Sequence, residues 1–129
     1  MGEVHGVTSQ TRVNAQSAAQ VASLMTGLAT TSRVQILGRL REGACSVTEL
    51  CAAVLMTQPA VSQQLRILRS LSLVVGTRTG RQTIYGLHDP HVAVLLDEAL
   101  RHLEHLRDSG GAAPAVTSVP ADQATTGAP

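Results

Sequence analysis

The sequence has no lysine, tryptophan or phenylalanine, one tyrosine and two cysteines in 129 residues. Tyr85 stands alone as an aromatic, which argues against recognition of nucleic acid by stacking bases on aromatic platforms. Two thiols, Cys45 and Cys51, are too few for a disulfide framework and fit a reducing compartment. Ser, Thr, Arg and Gln interrupt every apolar run before it reaches the roughly 20 residues of a membrane span. The first residues lack the basic region and apolar stretch of a secretion signal. These absences point to a cytoplasmic protein with no membrane partner, of a size for one domain with a modest core and loose ends.

What is present is unevenly distributed. All ten basic residues are arginine, and the formal net charge of +1 conceals two opposed segments. Between Thr31 and Leu87 stand Arg33, Arg39, Arg41, Arg66, Arg69, Arg78 and Arg81 against only Glu42 and Glu49. From His88 to Asp108 the sign reverses, with Asp89, Asp97, Glu98, Glu104 and Asp108 against Arg101 and Arg107. A basic middle joined to an acidic end suggests a polyanion-binding module coupled to a segment with another task.

The apolar spacing organises the chain. Residues 1–13 are polar and aperiodic, which predicts a flexible arm. Asn14 caps a helix to about Leu28, with Ala18, Val21, Ala22, Leu24, Met25 and Leu28 in one stripe. Thr31 or Ser32 caps a second helix that turns Val34, Ile36, Leu37 and Leu40 inward and stops at Gly43. Ser46 and Glu49 form the Ser-x-x-Glu capping box of a third helix. Thr57 caps a fourth, QPAVSQQLRILRSL, with Pro59 in its first turn. LVV and TIY are short β-rich runs joined by GTRTGRQ, with Gly76 and Gly80 as turn residues, so a hairpin is expected. Asp89-Pro90 then starts a long helix to about Arg107. From residue 109 to 129 the chain is rich in Gly, Ala, Pro, Ser and Thr, the composition of a disordered tail.

Four helices, a hairpin and a long helix describe a mainly α fold with a β-hairpin wing, a winged helix-turn-helix over residues 14–108. In a helix-turn-helix the second helix enters the major groove and presents its N-terminal residues to base edges. Thr57, Gln58, Ser62 and Gln63 are suited to that role, since Gln pairs with adenine in a bidentate manner. Val61, Leu65 and Leu68 supply the buried face. Arg66 and Arg69 fall where a phosphate backbone passes, and Arg78 and Arg81 flank the wing turn. The plainer reading of each arginine is a solvated surface charge; the ordered combination favours double-stranded DNA.

The blocks LATTSRVQIL, AVSQQLRILRSLSLV and GRQTIYGL resemble the ArsR/SmtB family of metal-responsive bacterial repressors, a similarity that runs from about Ala18 to Leu106. The resemblance implies a homodimer, joined through the first and last helices, that leaves its operator when an inducer binds.

The last helix bears on the inducer. His91 and His102 are 11 residues apart, about 1100° of rotation, so they share a face. They are also separated by roughly 16 Å along the axis, whereas metal–nitrogen bonds are about 2 Å. One ion cannot join them within a chain. Two such helices packed antiparallel, crossing near Leu96 and Asp97, bring Asp89 and His91 of one chain to His102 and His105 of the other, and the two-fold axis makes a second identical site. Val94, Leu95, Leu100 and Leu103 supply apolar surface for the pairing. Singly, Asp89 is an ordinary cap and each His an ordinary surface residue. In the family, DPH…HLEH matches the inter-subunit metal site.

Nitrogen and oxygen donors without thiolate suit Ni(II), Co(II) or Zn(II), and His105 as the last ligand resembles the nickel and cobalt sensors of the family more than the zinc sensors. In such sensors N-terminal ligands complete the shell. Removal of Met1 would expose Gly2, with His5 at the fourth position rather than the second; the alternative is a free arm. His88 fits no ligand position and reads as a loop residue. Cys45 and Cys51 lack the Cys-x-Cys spacing by which some members bind soft metals, and read as small buried hydrophobes. Three alternatives stand beside the nickel or cobalt sensor: a zinc-responsive repressor, a redox or constitutive regulator without metal, and a small zinc enzyme. The enzyme is disfavoured because four protein ligands leave little open coordination and no nucleophile with a partner base stands out.

Overall fold

A computed structural model describes residues 12–110. Beyond Arg12 and Val13, the arm expected over 1–13 lies outside these residues, and with it Gly2 and His5. The tail expected over 109–129 lies outside them beyond Ser109 and Gly110.

Helix α1, Ala15–Met25, starts on the Asn14 side chain, which accepts from the Ser17 N–H while Ser17 returns the bond to the Asn14 N–H. One 3₁₀ turn, Thr26–Leu28, leads to α2, Thr31–Arg41. Its cap is Thr30, one residue before the two expected, because Thr30 is the residue with extended backbone whose hydroxyl reaches the Arg33 N–H. A two-residue strand β1, Cys45–Ser46, precedes α3, Val47–Val54, whose Ser46/Glu49 capping box is present as expected. Helix α4, Gln58–Ser70, is capped by Thr57 with Pro59 in the first turn. Strands β2, Val74–Thr79, and β3, Gln82–Leu87, form the wing, and α5, Pro90–Asp108, follows with Asp89 as its cap. The architecture is the winged helix-turn-helix that the element order predicts.

The sheet has three strands rather than two, in the order β1-β3-β2. Antiparallel pairing of Cys45 with Tyr85 and of Ser46 with Ile84 anchors the wing to the segment entering α3. The wing strands are also longer than LVV and TIY. They pair from Val74↔Leu87 to Thr79↔Gln82 and leave only Gly80 and Arg81 as the turn. Gly76 is therefore a strand residue and not a turn residue. A Cβ there would stand 2.9 Å from Cε1 of Tyr85, so the absent side chain makes room for the only aromatic ring. Gly80 does occupy the turn, at φ +66, where a left-handed backbone favours glycine.

Ile36, Leu37 and Leu40 of α2, Leu50 of α3, and Val61, Leu65 and Leu68 of α4 form the core with Leu73, Val74, Val92 and Leu96. Each such side chain contributes on the order of 1.5–3 kcal/mol by leaving water. Two expectations for α2 fail together. Val34 is 40% exposed, and Arg33, expected with the surface charges, is buried instead. Cys45 is buried and Cys51 packs partly against the same core. Helix α1 buries none of its residues within the chain; of its expected stripe, only Leu24 and the following Leu28 touch the core.

Candidate DNA-reading surface and metal half-sites

The core fixes the rotation of α4. With Val61, Leu65 and Leu68 buried, Gln58, Gln63, Arg66 and Arg69 are exposed and Ser62 is half-exposed. The two polar edges of the helix start face different neighbours. Gln58 lines a groove of about 330 Å³ with Ser46, Val47 and Thr48 of the α3 start and Arg81, Gln82, Thr83 and Tyr85 of the wing. Gln63 and Thr57 line a second hollow of about 310 Å³ with Ser32 of α2. Thus Gln58 and Arg81, 23 positions apart in the sequence, border one groove, while Arg66 and Arg69 stand apart from both. Arg78 folds back at the wing tip, its Nε donating to the Gly80 carbonyl at 3.1 Å.

The basic surface is narrower than the charge count suggests. Arg33 is buried, and Arg41 is engaged by Asp97 at 2.6 Å. Arg39 donates to the Gly43 carbonyl. Arg66, Arg69, Arg78 and Arg81, the four singled out from the sequence, are exposed, and of these Arg78 bonds a backbone carbonyl as Arg39 does. Missing from that reading were Thr48, Gln82 and Thr83. Thr48 is an ordinary helix residue until the fold sets it beside Gln58; Gln82 joins the wing because the hairpin is longer than its apolar runs, and Thr83, within the expected TIY strand, meets the groove only once the wing is set beside α3 and α4.

At the other end of the domain, Asp89 performs two tasks. As N-cap, its Oδ1 accepts from the His91 N–H at 2.8 Å. The same oxygen stands 3.2 Å from Nδ1 of His91. Its second oxygen pairs with Nδ1 of His88 at 3.0 Å, so the residue read as a loop histidine holds the carboxylate from outside. These hydrogen bonds, with that from His88 first, keep the Asp89 carboxyl below the ordinary aspartate range. Asp89 and His91 open onto a small notch with Leu24, Ser72, Leu73, Val92 and Leu95.

His102 and His105 are exposed on the far part of α5, and among the described residues their rings make no hydrogen bond. Counting 100° per residue, Leu95, Glu98, His102 and His105 lie within about 40° of His91, and Val92 and Leu96 lie roughly 100–140° away. The histidine face and the core face are therefore separate. No group of three or more His, Cys, Asp or Glu side chains converges on a metal-sized space among the described residues of the one chain. Leu96 and Asp97 mark the sequence midpoint between the clusters but not the exposed surface there, since Leu96 is buried and Asp97 binds Arg41. Leu95 and Glu98 occupy the histidine face instead. Val94 and Leu100, at 54% and 59% exposed, are apolar surface with no cover from their own chain.

The donor chemistry fits a borderline divalent ion: two convergent first-row donors, a carboxylate and an imidazole, on one part of the helix, and two free imidazoles on another. Burial pushes the Cys45 thiol up, away from the reactive thiolate.

Comparison with known proteins agrees with this fold. Residues 30–75 match the family described as bacterial regulatory protein, arsR family. The chain is 56% identical over 106 residues to the HTH-type transcriptional regulator NmtR of Mycobacterium tuberculosis, covering 79% of this chain and 88% of that one. It is similar to the solution structure of apo-NmtR at a TM-score of 0.65 and 50% identity, covering 84% and 86% of the two chains. A homodimeric winged helix-turn-helix DNA-binding domain from Mycobacterium bovis matches at a TM-score of 0.65 and 28% identity, over 72% of this chain and 88% of that one.

Proposed function

The chain belongs to the arsR family of bacterial regulatory proteins, transcriptional regulators rather than enzymes, and we propose that it is a metal-responsive repressor: a cytoplasmic homodimer that binds operator DNA and releases it on taking up Ni(II) or Co(II). One observation carries the reading. Asp89 and His91 stand 3.2 Å apart at the start of α5, His102 and His105 lie exposed on the same face further along, and the helix holds the two pairs too far apart for one ion. Antiparallel pairing of two α5 helices completes both sites, and Leu95 on the histidine face, the uncovered Val94 at its edge and the exposed stripe of α1 supply apolar surface for that pairing. The homodimeric neighbour supports the same assembly.

Gln58, Ser62 and Gln63 read base edges, Thr57 holds the helix start, and Arg66, Arg69, Arg78 and Arg81 hold phosphates. Metal favours whichever dimer geometry brings the two half-sites together, and only a difference in metal affinity between the DNA-competent and DNA-free forms drives release. His105 in place of a carboxylate favours nickel or cobalt. Gly2 and His5 are proposed as supplementary donors.

Operator binding of the purified dimer, titrated separately with Ni(II), Co(II) and Zn(II), tests the proposal. Release by nickel or cobalt at lower free metal than by zinc supports it. Release by zinc alone makes the chain a zinc-responsive repressor, and no metal response at all overturns the metal reading.

A further inference from the structure

Arg33 is a buried cation whose bonds, among the described residues, go to no carboxylate. It is 9% exposed, and burial alone lowers its affinity for the proton. Its Nη1 donates to Oε1 of Gln64 at 3.0 Å, and its Nη2 donates to the Thr26 carbonyl at 3.0 Å. Nε has no partner. An apolar residue of similar volume would fill this position without the cost of desolvating a charge, so simple packing does not account for an arginine here.

The two acceptors belong to elements with different tasks. Thr26 opens the turn that ends α1, and Gln64, 8% exposed, faces inward from the recognition helix beside Gln63. Two residues before Thr26, Leu24 borders the notch that holds Asp89 and His91. We propose that Arg33 is a positioning residue: a rigid fork that ties the end of α1 to Gln64, so that movement of α1 at the metal half-site moves the DNA-reading face of α4. The planar guanidinium suits this, because one group holds two acceptors in a fixed relation, which an ammonium on a flexible stem does not. The route is the regulatory counterpart of the proposed metal response and rests on it.

The test uses the full-length dimer with Arg33→Met, Gln64→Leu, both together, and Arg33→Lys. Each is measured for metal-free operator affinity, for the change in that affinity on adding Ni(II), and for Ni(II) affinity by chelator competition. The parent ratio is expected within the roughly 5–150-fold range of allosteric couplings. Arg33→Met and Gln64→Leu are expected to weaken metal-free operator binding and bring the ratio close to one, with Ni(II) affinity unchanged. The double variant is expected to lose no more than either alone, and Arg33→Lys to recover the ratio only in part. A purely structural role would lower thermal stability and leave the ratio intact in the folded protein; that result overturns the proposal. If Arg33→Met does not fold, Gln64→Leu, which keeps the arginine, decides it. A parent without metal response refutes the metal reading, and the fork is then judged by metal-free operator affinity and the non-additivity of the two changes.

Discussion

Asp89 and His91 face each other across 3.2 Å while the same carboxylate oxygen caps α5 by accepting the His91 N–H at 2.8 Å. The cap holds the carboxylate at the helix start, and His91, two residues on, stands within a metal's reach of it. The proposed half-site is thereby held together by the helix cap itself, with His88 fixing the second oxygen.

The observed cap and the proposed metal ligation of Asp89 are separable by substitution. Asp89→Asn retains a capping oxygen and should leave thermal stability close to the parent while weakening Ni(II) binding, read by chelator competition. Asp89→Ala should lose metal binding and also about 1 kcal/mol of stability with the cap. Equal stability in the two variants would show that the cap contributes nothing.

His88 holds the carboxylate without standing on the histidine face. His88→Ala should lower Ni(II) affinity by about 10–100-fold, the usual loss when a partner of a ligand is removed, with metal-free operator binding unchanged. Affinity equal to the parent's would limit His88 to the loop.

The proposed phosphate and base contacts have different signatures. Arg81→Ala should weaken binding to all sequences alike and reduce the salt slope by about one. Gln58→Ala and Gln63→Ala should each cost about 1–3 kcal/mol on the operator and much less on unrelated DNA. Equal losses on both DNAs for the glutamines would remove them from base reading. Fluorescence anisotropy at several salt concentrations distinguishes these outcomes.

Gly76 and Tyr85 give a packing prediction. Gly76→Ala places a methyl 2.9 Å from the ring, in a paired strand where neither partner can withdraw freely. A loss of about 1–3 kcal/mol is expected from overpacking, relieved when Tyr85 is also made Leu. Thermal melts of the two variants check it.

A pH dependence follows from the capping box of α3. Hydrogen bonds from Ser46, that of the backbone first, hold the Glu49 carboxyl below the ordinary glutamate range. The folded form therefore binds the proton less readily than the unfolded form. The stabilisation is present above the ordinary glutamate value and is lost as pH falls through the lowered one. Glu49→Gln should flatten this part of the acid limb of a stability–pH curve, and an unchanged limb would contradict the role.

Most of the fold was legible in the residues because its signals are local. Asn14, Ser46, Thr57 and Asp89 cap the helices they were expected to cap, and Val61, Leu65 and Leu68 form the inner face of α4. What escaped depends on partners distant in sequence. The pairing of Cys45 with Tyr85 has no local signature. The hairpin extends past its apolar runs because cross-strand bonds continue through Thr77, Arg78 and Thr79. Arg33 was counted with the surface charges because nothing nearby in sequence indicates that Gln64 receives it. The spacing of Asp89, His91, His102 and His105 on one helix was legible, and the bond of His88 to Asp89 was not, since it depends on how the chain enters α5.

The central claim is that each metal site draws its ligands from two chains, and mixed dimers test it most directly. One chain carries Asp89→Ala with His91→Ala, the other His102→Ala with His105→Ala, each with a different affinity tag. Neither homodimer should bind Ni(II) with the parent affinity. The purified heterodimer should recover one such site, because the intact halves meet across the interface, and titration should give one tight Ni(II) per dimer against two for the parent. A heterodimer that binds no more tightly than either homodimer would show that the clusters do not meet, and the account of the metal site would be wrong.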